Sequence, residues 1–240
     1  MAQSSTATYD ESKIKTLSSL EHIRLRTGMY IGRLGDGSSL DDGIYVLLKE
    51  VIDNAVDEFI MGYGEAIRIA VSDELVKVRD YGRGIPLGKV IECVSVINTG
   101  AKYNDEVFQF SVGLNGVGTK AVNALSSHFR VVSFRDGKYF EAVFERGVKV
   151  SGRQGKAPKE RNGTYVEFTP DPEIFGEYHY QEDFLEQRLW NYACLNSGLS
   201  LYLGKKKFHS KNGLYDLLHG EVGNEAIYEI GHYRAKQLEF

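Results

Sequence analysis

The most regular pattern of apolar and polar positions in the chain runs from Asp41 to Gly62. Apolar residues recur there every three or four positions, which predicts an amphipathic helix with one buried face. Asp41 and Asp42 can cap the start of this helix, and Gly62 can end it. The predicted buried face consists of Ile44, Leu47, Leu48, Val51, Ile52, Ala55 and Phe59.

The polar face of this helix has an unusual composition, with four acids, one amide and no cation: Glu50, Asp53, Asn54, Asp57 and Glu58. Glu50 and Asn54 are one turn apart, ~6 Å along the axis, so their side chains emerge together. A carboxylate beside a carboxamide can hold a hydrated divalent cation and orient a water. A solvated helix face explains the stripe equally simply, and by itself the stripe favours that reading.

Shorter patterns flank the helix. The small, polar residues 1–8 are expected to be disordered. A helix is predicted from Leu20 to Arg26 and a short strand from Gly28 to Gly32. After the central helix, alternation predicts a β-hairpin. Its strands are Ala66 to Val71 and Leu75 to Arg79.

The rest of the chain is richer in strands. A helix is predicted from Leu87 to Asn98, then a polar loop from Thr99 to Ser111, and a helix from Thr119 to Leu125. Strands follow at Phe129 to Arg135 and Lys138 to Glu145, joined by the turn signal Asp136-Gly137. A mobile basic segment is predicted from Ser151 to Asn162 and a strand from Gly163 to Thr169. Helices are predicted at Glu182 to Leu195 and Leu214 to Leu218. A small hairpin is predicted at Leu199 to Leu203 and Lys207 to His209, and a new strand from Ala226. This order favours the α+β class over a doubly wound parallel sheet.

Composition narrows the function classes. The chain has 240 residues, 42% hydrophobic and 26% charged, which is ordinary for a soluble globular protein. A domain that binds duplex DNA over a wide face is usually basic. Because the net charge is -4, any nucleic-acid contact of this chain is confined to a local patch, or nucleic acid is bound by another part of the protein. Cys93 and Cys194 show neither metal spacing nor a disulfide framework, which indicates a reducing compartment. No segment reads as a membrane span or signal peptide, so we expect a cytoplasmic protein without membrane contact.

A carboxylate and two glycines follow the second strand of the first hairpin, as Asp80-x-Gly82-x-Gly84. An ionised carboxylate only accepts hydrogen bonds, so at a strand end it can accept from an exocyclic amine such as that of adenine. The two glycines let a flat ring approach the backbone closely. A simple glycine turn after a strand is the alternative, and the motif alone leaves the two open.

The second glycine motif is Gly113-x-x-Gly116-x-Gly118, directly before a predicted helix. Backbone N–H groups and the positive end of the helix dipole suit a polyphosphate there. It is not a Walker loop, since no Lys-Ser/Thr pair follows in the required place, and no strand precedes it as in a dinucleotide fingerprint. Lys102 can reach a phosphate or can be an ordinary loop lysine, and we expect no second lysine to serve this loop.

A third, shorter motif is Gly163-Thr164, which opens a strand. The threonine hydroxyl can bond a base or a water beside Asp80. A threonine at a strand start is, by itself, usually structural.

The motifs are far more specific as an ordered set. Their order along the chain is Glu-x-x-x-Asn on a helix, Asp-x-Gly-x-Gly after a strand, Gly-x-x-Gly-x-Gly before a helix, and then Gly-Thr. This order resembles the ATP-binding fold shared by gyrase, the large heat-shock chaperones, histidine kinases and MutL repair proteins. The fold is called the GHKL or Bergerat fold. Residues 24–32, 50–58 and 80–86 resemble the ATPase domain of type IIA DNA topoisomerase B subunits. The stretch 42–50 is more similar to topoisomerase IV than to gyrase, and the resemblance covers residues 9–240.

The resemblance implies a role for each motif. The expected fold is a mixed, largely antiparallel sheet covered by helices on one face. Glu50 would be the general base that orients the attacking water, and Asn54 the protein ligand of Mg²⁺, whose other ligands are phosphates and water. Asp80 would hold the adenine amine beside Gly84, with Thr164 helping through water. The phosphates would be wrapped by Gly113, Leu114, Asn115, Gly116, Val117, Gly118 and Thr119, with Lys102 nearby.

The resemblance also implies partners. Tyr9 and Ile14 would lie on an arm that reaches the other protomer when ATP causes two copies to dimerise. Glu58 and Arg83 would pair at the pocket mouth, beside Ile85 and Pro86, where ATP-competitive inhibitors bind. The full-length protein would join a topoisomerase A-type subunit in a heterotetramer that acts on DNA in the bacterial cytoplasm, at the nucleoid. The expected organisation is an ATPase domain over 9–225 and the start of a truncated transducer domain over 226–240, whose missing part supplies a phosphate-contacting lysine.

Three positions depart from the family pattern. Thr27 stands where proline is usual, Val112 replaces a common glycine and Asn115 a common histidine. The phosphate grip is mostly backbone, so we expect it to survive. Two other members of the fold remain as alternatives, a histidine-kinase domain and a MutL-type clamp. Glu50 disfavours the first and the arginine-rich residues 24–32 disfavour the second.

Overall fold

The structure is a computed structural model of the chain, and it describes residues 11, 14, 16–100, 116–235 and 238–240. The helices within these ranges are α1 Ser19–Leu25, α2 Gly28–Ile31, α3 Gly43–Ile60, α4 Val90–Ser95, α5 Gly118–Ala124, α6 Pro172–Phe175, α7 Glu182–Leu195 and α8 Leu214–Val222. Single 3₁₀ turns occur at Leu87–Lys89 and Gly223–Glu225. The strands are β1 Ala66–Val71, β2 Val76–Asp80, β3 Ser126–Arg135, β4 Lys138–Glu145, β5 Val148–Lys156, β6 Gly163–Pro170, β7 Ser200–Leu203, β8 Lys206–His209, β9 Arg234–Ala235 and β10 Leu238–Glu239.

One eight-stranded sheet organises the molecule, in the order β5-β4-β3-β6-β2-β1-β7-β8. Neighbouring strands are antiparallel except β1 and β7, which are parallel. Alternate side chains of the strands are buried, such as Val76 and Val78 of β2 or Ile67 and Ile69 of β1. The α+β class and the mixed, largely antiparallel sheet predicted from the sequence are therefore confirmed.

The long helix α3 confirms the strongest sequence prediction, with small changes at its start. The Asp42 side chain does not cap the helix. Its carboxylate accepts hydrogen bonds from the backbone N–H groups of Gly37 and Ser39, at 2.9 and 3.1 Å, and lies 2.7 Å from Nε of Arg33. Asp42 thus organises the preceding loop, and α3 begins at Gly43.

Part of the polar stripe of α3 is inside the protein. Asp53 and Asp57 are buried, at 2% and 0% exposure, so the stripe is not a solvated face. Lys49 donates to Asp53 at 2.5 Å, and the hydroxyl of Tyr192 on α7 donates to the other carboxylate oxygen. Burial raises the pKa of Tyr192, with the negative charge of Asp53 as the second cause. Asp53 therefore ties α3 to α7.

Four predictions of secondary structure are wrong. The short strand at Gly28 to Gly32 is the helical turn α2, closed by bonds such as Ile31 N–H to the Thr27 carbonyl. The segment from Ser151 to Asn162 is not a mobile loop, because its first half belongs to the edge strand β5, paired with β4. The helix from Leu87 to Asn98 shortens to a 3₁₀ turn and α4. No strand begins at Ala226, and only the two-residue strands β9 and β10 pair near the end of the described chain.

Some predictions fall where the structure makes no statement. The disorder predicted for residues 1–8 and most of the loop predicted from Thr99 to Ser111 lie outside the described residues. Cys93 and Cys194 are free thiols. None of the helices in the described ranges is long and apolar enough to cross a membrane.

Candidate functional site

A cavity of about 1170 Å³ opens between α3, α5 and the sheet. It brings together every described residue that the sequence assigns to the site. These residues are Glu50, Asn54, Glu58, Asp80, Arg83, Gly84, Ile85, Pro86, Gly116, Val117, Gly118, Thr119 and Thr164. Tyr9, Lys102, Gly113, Leu114 and Asn115, which belong to the same predictions, lie outside the described residues.

Glu50 is held at the start of α5. A Cβ atom built on Gly118 would lie 1.7 Å from Oε2 of Glu50, so the carboxylate fills the space that a side chain at position 118 would need. Contacts that short do not occur between real atoms, so only glycine permits this arrangement. The glycine motif before α5 therefore leaves room for a side chain of α3, in addition to any role in binding a ligand.

Asn54 lies one turn beyond Glu50 and is oriented by two hydrogen bonds. Its Nδ2 donates to the backbone carbonyl of Glu50 at 2.6 Å and to Oγ1 of Thr119 at 2.9 Å. An amide nitrogen only donates, so Oδ1 is the atom with which this side chain would meet a cation. Thr119 therefore positions Asn54, a contact that the sequence does not reveal.

Asp80 ends β2 at the opposite wall of the cavity and is only 7% exposed. Its Oδ1 accepts hydrogen bonds from the backbone N–H groups of Gly82 at 2.9 Å and Thr164 at 3.0 Å. Oδ2 has no hydrogen-bond partner among the described residues. Burial raises the pKa of Asp80 to about 6, and the two backbone bonds limit the rise.

The glycines after Asp80 have local reasons to be glycine. Gly84 has a φ of +77°, and a Cβ there would meet the Phe134 carbonyl oxygen at 2.5 Å. A Cβ on Gly82 would lie 2.6 to 2.7 Å from side-chain atoms of Glu58. The glycines are therefore needed for packing within the protein, and the approach of a flat ring remains a prediction.

Thr164 contacts Asp80 through its backbone rather than its hydroxyl. It opens β6 next to Asp80 because β6 pairs with β2, with Arg79 opposite Tyr165. The predicted proximity of Thr164 and Asp80 is confirmed. A water bridge from the hydroxyl to a base stays a prediction.

Glu58 and Arg83 pair at the mouth of the cavity, as the resemblance implies. Nε and Nη2 of Arg83 donate to the two carboxylate oxygens at 3.0 and 2.9 Å, and the Arg83 backbone N–H donates at 2.8 Å. The guanidinium also lies 4.6 Å from the centre of the Tyr63 ring. The hydrogen bonds to Glu58 raise the pKa of Arg83.

Lys120 is a cavity residue that the sequence reasoning missed. It follows Gly118-Thr119, is 4% exposed, and donates from Nζ to the Thr99 carbonyl at 2.7 Å. Because Nζ of Lys120 is bonded to the Thr99 carbonyl, the expectation that no second lysine serves the glycine loop stays a prediction. The place of Lys120 two residues after the last glycine of the motif was the available signal, although a lysine there does not fit the Walker pattern.

The apolar wall of the cavity was also not assigned from the sequence. Strands β2, β3 and β6 and helices α3 and α4 contribute Val51, Ala55, Val78, Val94, Val131 and Val166. Those on β2, β3 and β6 face the same side because Val78 pairs with Val166, and Val131 with Val166. An apolar wall beside the buried carboxylate of Asp80 suits a planar heteroaromatic ring.

The donor set near Asn54 fits a magnesium ion that takes most of its ligands from a substrate. Among the described residues no group of three His, Cys, Asp or Glu side chains could hold a metal by itself. Mg²⁺ commonly binds one or two protein oxygens together with phosphates and water. Asn54 would hold such an ion, and a permanently bound structural metal does not fit this site.

A family model described as "Histidine kinase-, DNA gyrase B-, and HSP90-like ATPase" matches residues 40–174. The B subunit of DNA topoisomerase 4 from Borreliella burgdorferi is 65% identical over 236 residues, covering 98% of this chain and 39% of that protein. The B subunit of DNA gyrase from Thermotoga maritima is 36% identical over 242 residues, covering 94% of this chain and 37% of that protein. The chain thus spans about two fifths of the length of these relatives.

A solved structure agrees with these relatives. The chain is similar to the 43K ATPase domain of Thermus thermophilus gyrase B, crystallised in complex with an aminocoumarin, with a TM-score of 0.74 and 32% identity. The match covers 93% of this chain and 61% of that one. Glu50, Asn54, Asp80 and the turn before α5 surround one cavity in this chain. The chain belongs to the family of histidine kinase-, DNA gyrase B- and HSP90-like ATPases, and within this family it is similar to the B subunits of topoisomerase IV and gyrase.

Proposed function

We propose that the chain binds and hydrolyses ATP as the ATPase domain of a bacterial type IIA DNA topoisomerase, in the B subunit of topoisomerase IV or gyrase. The observation that carries the proposal is the placement of two carboxylates in one cavity. Asp80 is buried against the sheet at one wall, and Glu50 is packed on Gly118 at another. Identity of 65% to the B subunit of a topoisomerase 4 favours topoisomerase IV over gyrase.

Asp80 selects the base. Oδ1 is already engaged by two backbone N–H groups, so Oδ2 is the atom that accepts a hydrogen bond from the exocyclic amine of adenine. The adenine ring then lies against the valines of β2, β3 and β6. Guanine carries an oxygen at the equivalent ring position, and two acceptors would face each other, so GTP binds poorly.

Glu50 activates the water. Its carboxylate accepts a proton from the water that attacks the terminal phosphate, which splits ATP into ADP and phosphate. Gly118 leaves room for the carboxylate within the cavity, and Asn54, whose Nδ2 donates to Thr119, would hold Mg²⁺ through its amide oxygen. The ion, when bound, neutralises phosphate charge. Gly116, Val117 and Gly118 present backbone N–H groups to the phosphates, together with Gly113, Leu114 and Asn115 and with Lys102.

Several parts of the proposal concern the protein beyond this chain. ATP binding makes two copies dimerise, with Tyr9 and Ile14 on the arm that reaches the partner, and the closed dimer gates the passage of a DNA strand. A topoisomerase A-type subunit completes the complex, which acts at the bacterial nucleoid in the cytoplasm. Support comes from the relatives of the B type, which are more than twice as long as this chain. No described feature favours the histidine-kinase or MutL-type alternatives.

The test is Glu50→Gln in a protein of the relatives' length that contains this chain. The amide is isosteric but cannot take a proton, so turnover falls by ~10²–10⁴ while ATP binding persists. Glu92→Gln, on the exposed side of α4, is the matched control and keeps full turnover. ATP turnover of Glu50→Gln within threefold of wild type would refute the assignment of the base.

A further inference from the structure

The face of the sheet opposite the core carries an unusual row of side chains. On β1 and β2 the central residues of this face remain partly or fully exposed, whereas their neighbours on the other face are buried. The cross-strand register places five of them directly opposite one another, in one line across β8, β7, β1, β2 and β6. This cationic row consists of Lys207, Tyr202, Arg68, Arg79 and Tyr165.

Two arginines are cross-strand neighbours at the centre of the row. Arg68 pairs with Arg79 across β1 and β2. Like charges placed directly opposite destabilise a sheet, so a row evolved for stability alone would not favour this pair. Neither guanidinium has an acidic partner in an ion pair among the described residues. Arg68 lies over the Tyr202 ring at 4.9 Å, and Arg79 donates to the backbone carbonyls of Asp80 and Arg161 at 2.6 and 2.7 Å.

Two lysines add positive charge, one at the end of the row and one beside it. Lys207 lies 5.9 Å from the centre of the Tyr202 ring, on the strand beyond it. Lys77 is exposed on the same face of β2, two residues before Arg79. Within the described residues, neither lysine makes a salt bridge.

The opposite half of the same face is neutralised internally. Arg130 of β3 and Arg153 of β5 both donate to Glu141 of β4, with shortest distances of 2.6 Å. Arg130 also lies 3.3 Å from Glu167. The positive charge without an acidic partner in an ion pair among the described residues is therefore concentrated on β8, β1 and β2, in a chain whose net charge is -4.

The spacing of the row fits a regular polyanion. Neighbouring strands lie ~4.8 Å apart, so the four steps from β8 to β6 span ~19 Å. Phosphates of a duplex follow at ~3.4 Å of rise per strand, so this distance covers about six steps. The Tyr202 ring already contacts two cations, Arg68 and Lys207, which compete with an unpaired base for stacking on it. Contact through phosphates is the mode that remains.

We propose that the cationic row, with Lys77, is a docking surface for the phosphate backbone of duplex DNA. It gives this acidic domain a local grip on DNA that does not involve the cavity. The inference extends the proposed function to a DNA contact, but it needs no nucleotide. Failure of this proposal would leave the ATPase assignment unchanged, because DNA binding and ATP hydrolysis are measured with different ligands.

The experiment measures anisotropy of a labelled 20-base-pair duplex, titrated with residues 1–240 without nucleotide, between 50 and 200 mM salt. Four cations on phosphates predict a slope of log K against log salt of about -3.6. In the double variant Arg68→Gln/Lys207→Gln the slope becomes shallower by about 1.8, and affinity at 50 mM salt falls about tenfold or more. The control Arg26→Gln/Lys89→Gln removes the same charge outside the sheet and leaves slope and affinity unchanged.

Two further measurements keep the result interpretable. Arg68 and Lys207 are exposed and make no salt bridge within the described residues, so the thermal midpoint of the double variant changes little, which separates lost binding from lost folding. A single strand of 20 nucleotides is titrated in parallel and binds more weakly than the duplex. Equal duplex affinity in the two double variants would overturn the proposal, and so would tighter binding of the single strand.

Discussion

The carboxylate of Glu50 and the backbone of Gly118 occupy adjoining space, so that a Cβ at position 118 would lie 1.7 Å from Oε2. This contact joins the helix that carries the proposed general base to the turn proposed to carry the phosphates. Glycines in such a motif are usually attributed to the approach of a ligand. Here Gly118 also leaves the space that the Glu50 side chain occupies.

Gly118→Ala is expected to reduce ATP turnover by about 10²-fold, because the methyl group must push the carboxylate away and a shift of ~1 Å can have that effect. ATP turnover is measured in a protein of the relatives' length. Gly88→Ala serves as the control, since a Cβ there meets nothing within 4 Å. Turnover in Gly118→Ala equal to that in Gly88→Ala would show that Glu50 does not act from this position.

Asp80 predicts an unusual dependence of stability on pH. Its pKa of about 6 in the folded protein exceeds the ordinary 3.8, so between these values the folded protein binds the proton more tightly than the unfolded chain. The free energy of unfolding therefore falls as pH rises from about 4 to 6, by up to about 3 kcal/mol from this group. Chemical unfolding at a series of pH values measures this, and Asp80→Asn should lose this contribution. An identical pH profile for wild type and Asp80→Asn would contradict the raised pKa.

Tyr192→Phe tests the tie between α3 and α7. The variant removes the hydroxyl that donates to the buried carboxylate of Asp53, which costs about 1–3 kcal/mol of the free energy of unfolding. Urea denaturation of residues 1–240 provides the measurement. Tyr63→Phe, whose residue is 46% exposed, is the control and changes stability little. If both variants unfold at the same urea concentration, the hydroxyl contributes nothing to stability.

The sequence predicts the elements that its patterns describe directly. The three-and-four spacing of α3 and α7 and the alternation of β1 and β2 lead to bounds within about two or three residues of those observed. It misses β5, because an exposed edge strand has no buried face and so shows no alternation. It also misreads Gly28 to Ile31, where glycines flank a single helical turn rather than a strand.

The site shows the same division. Motif order predicts Glu50, Asn54 and Asp80 as site residues, and the structure brings them to one cavity. The sequence does not show the contacts that position the site residues. Thr119 orients Asn54, and Glu58 fills the space above Gly82. Lys120 is buried against Thr99. These contacts join residues that are far apart in the chain, or depend on burial, and no local pattern encodes either.

Residues 1–240 by themselves are expected to bind ATP as a monomer and to hydrolyse it barely. The resemblance assigns a phosphate-contacting lysine to a following domain, and Lys120, the nearby alternative, donates to the Thr99 carbonyl. Without that lysine on the terminal phosphate, charge in the transition state is less stabilised. A coupled ATPase assay compares this chain with a longer protein that includes the next domain. Equal specific activity in both would contradict this mechanism.

The most direct test of the account is calorimetric titration of ATP and GTP into residues 1–240 at pH 8, where Asp80 is ionised. Wild type is expected to bind ATP and to bind GTP far more weakly. Asp80→Asn loses a charge-assisted hydrogen bond and should bind ATP with about 1.5–3 kcal/mol less free energy, or roughly 10- to 150-fold more weakly. Asp183→Asn, an exposed position on α7, removes the same charge and should bind ATP as wild type does. Unchanged ATP affinity in Asp80→Asn would contradict the claim that this cavity recognises adenine through Asp80.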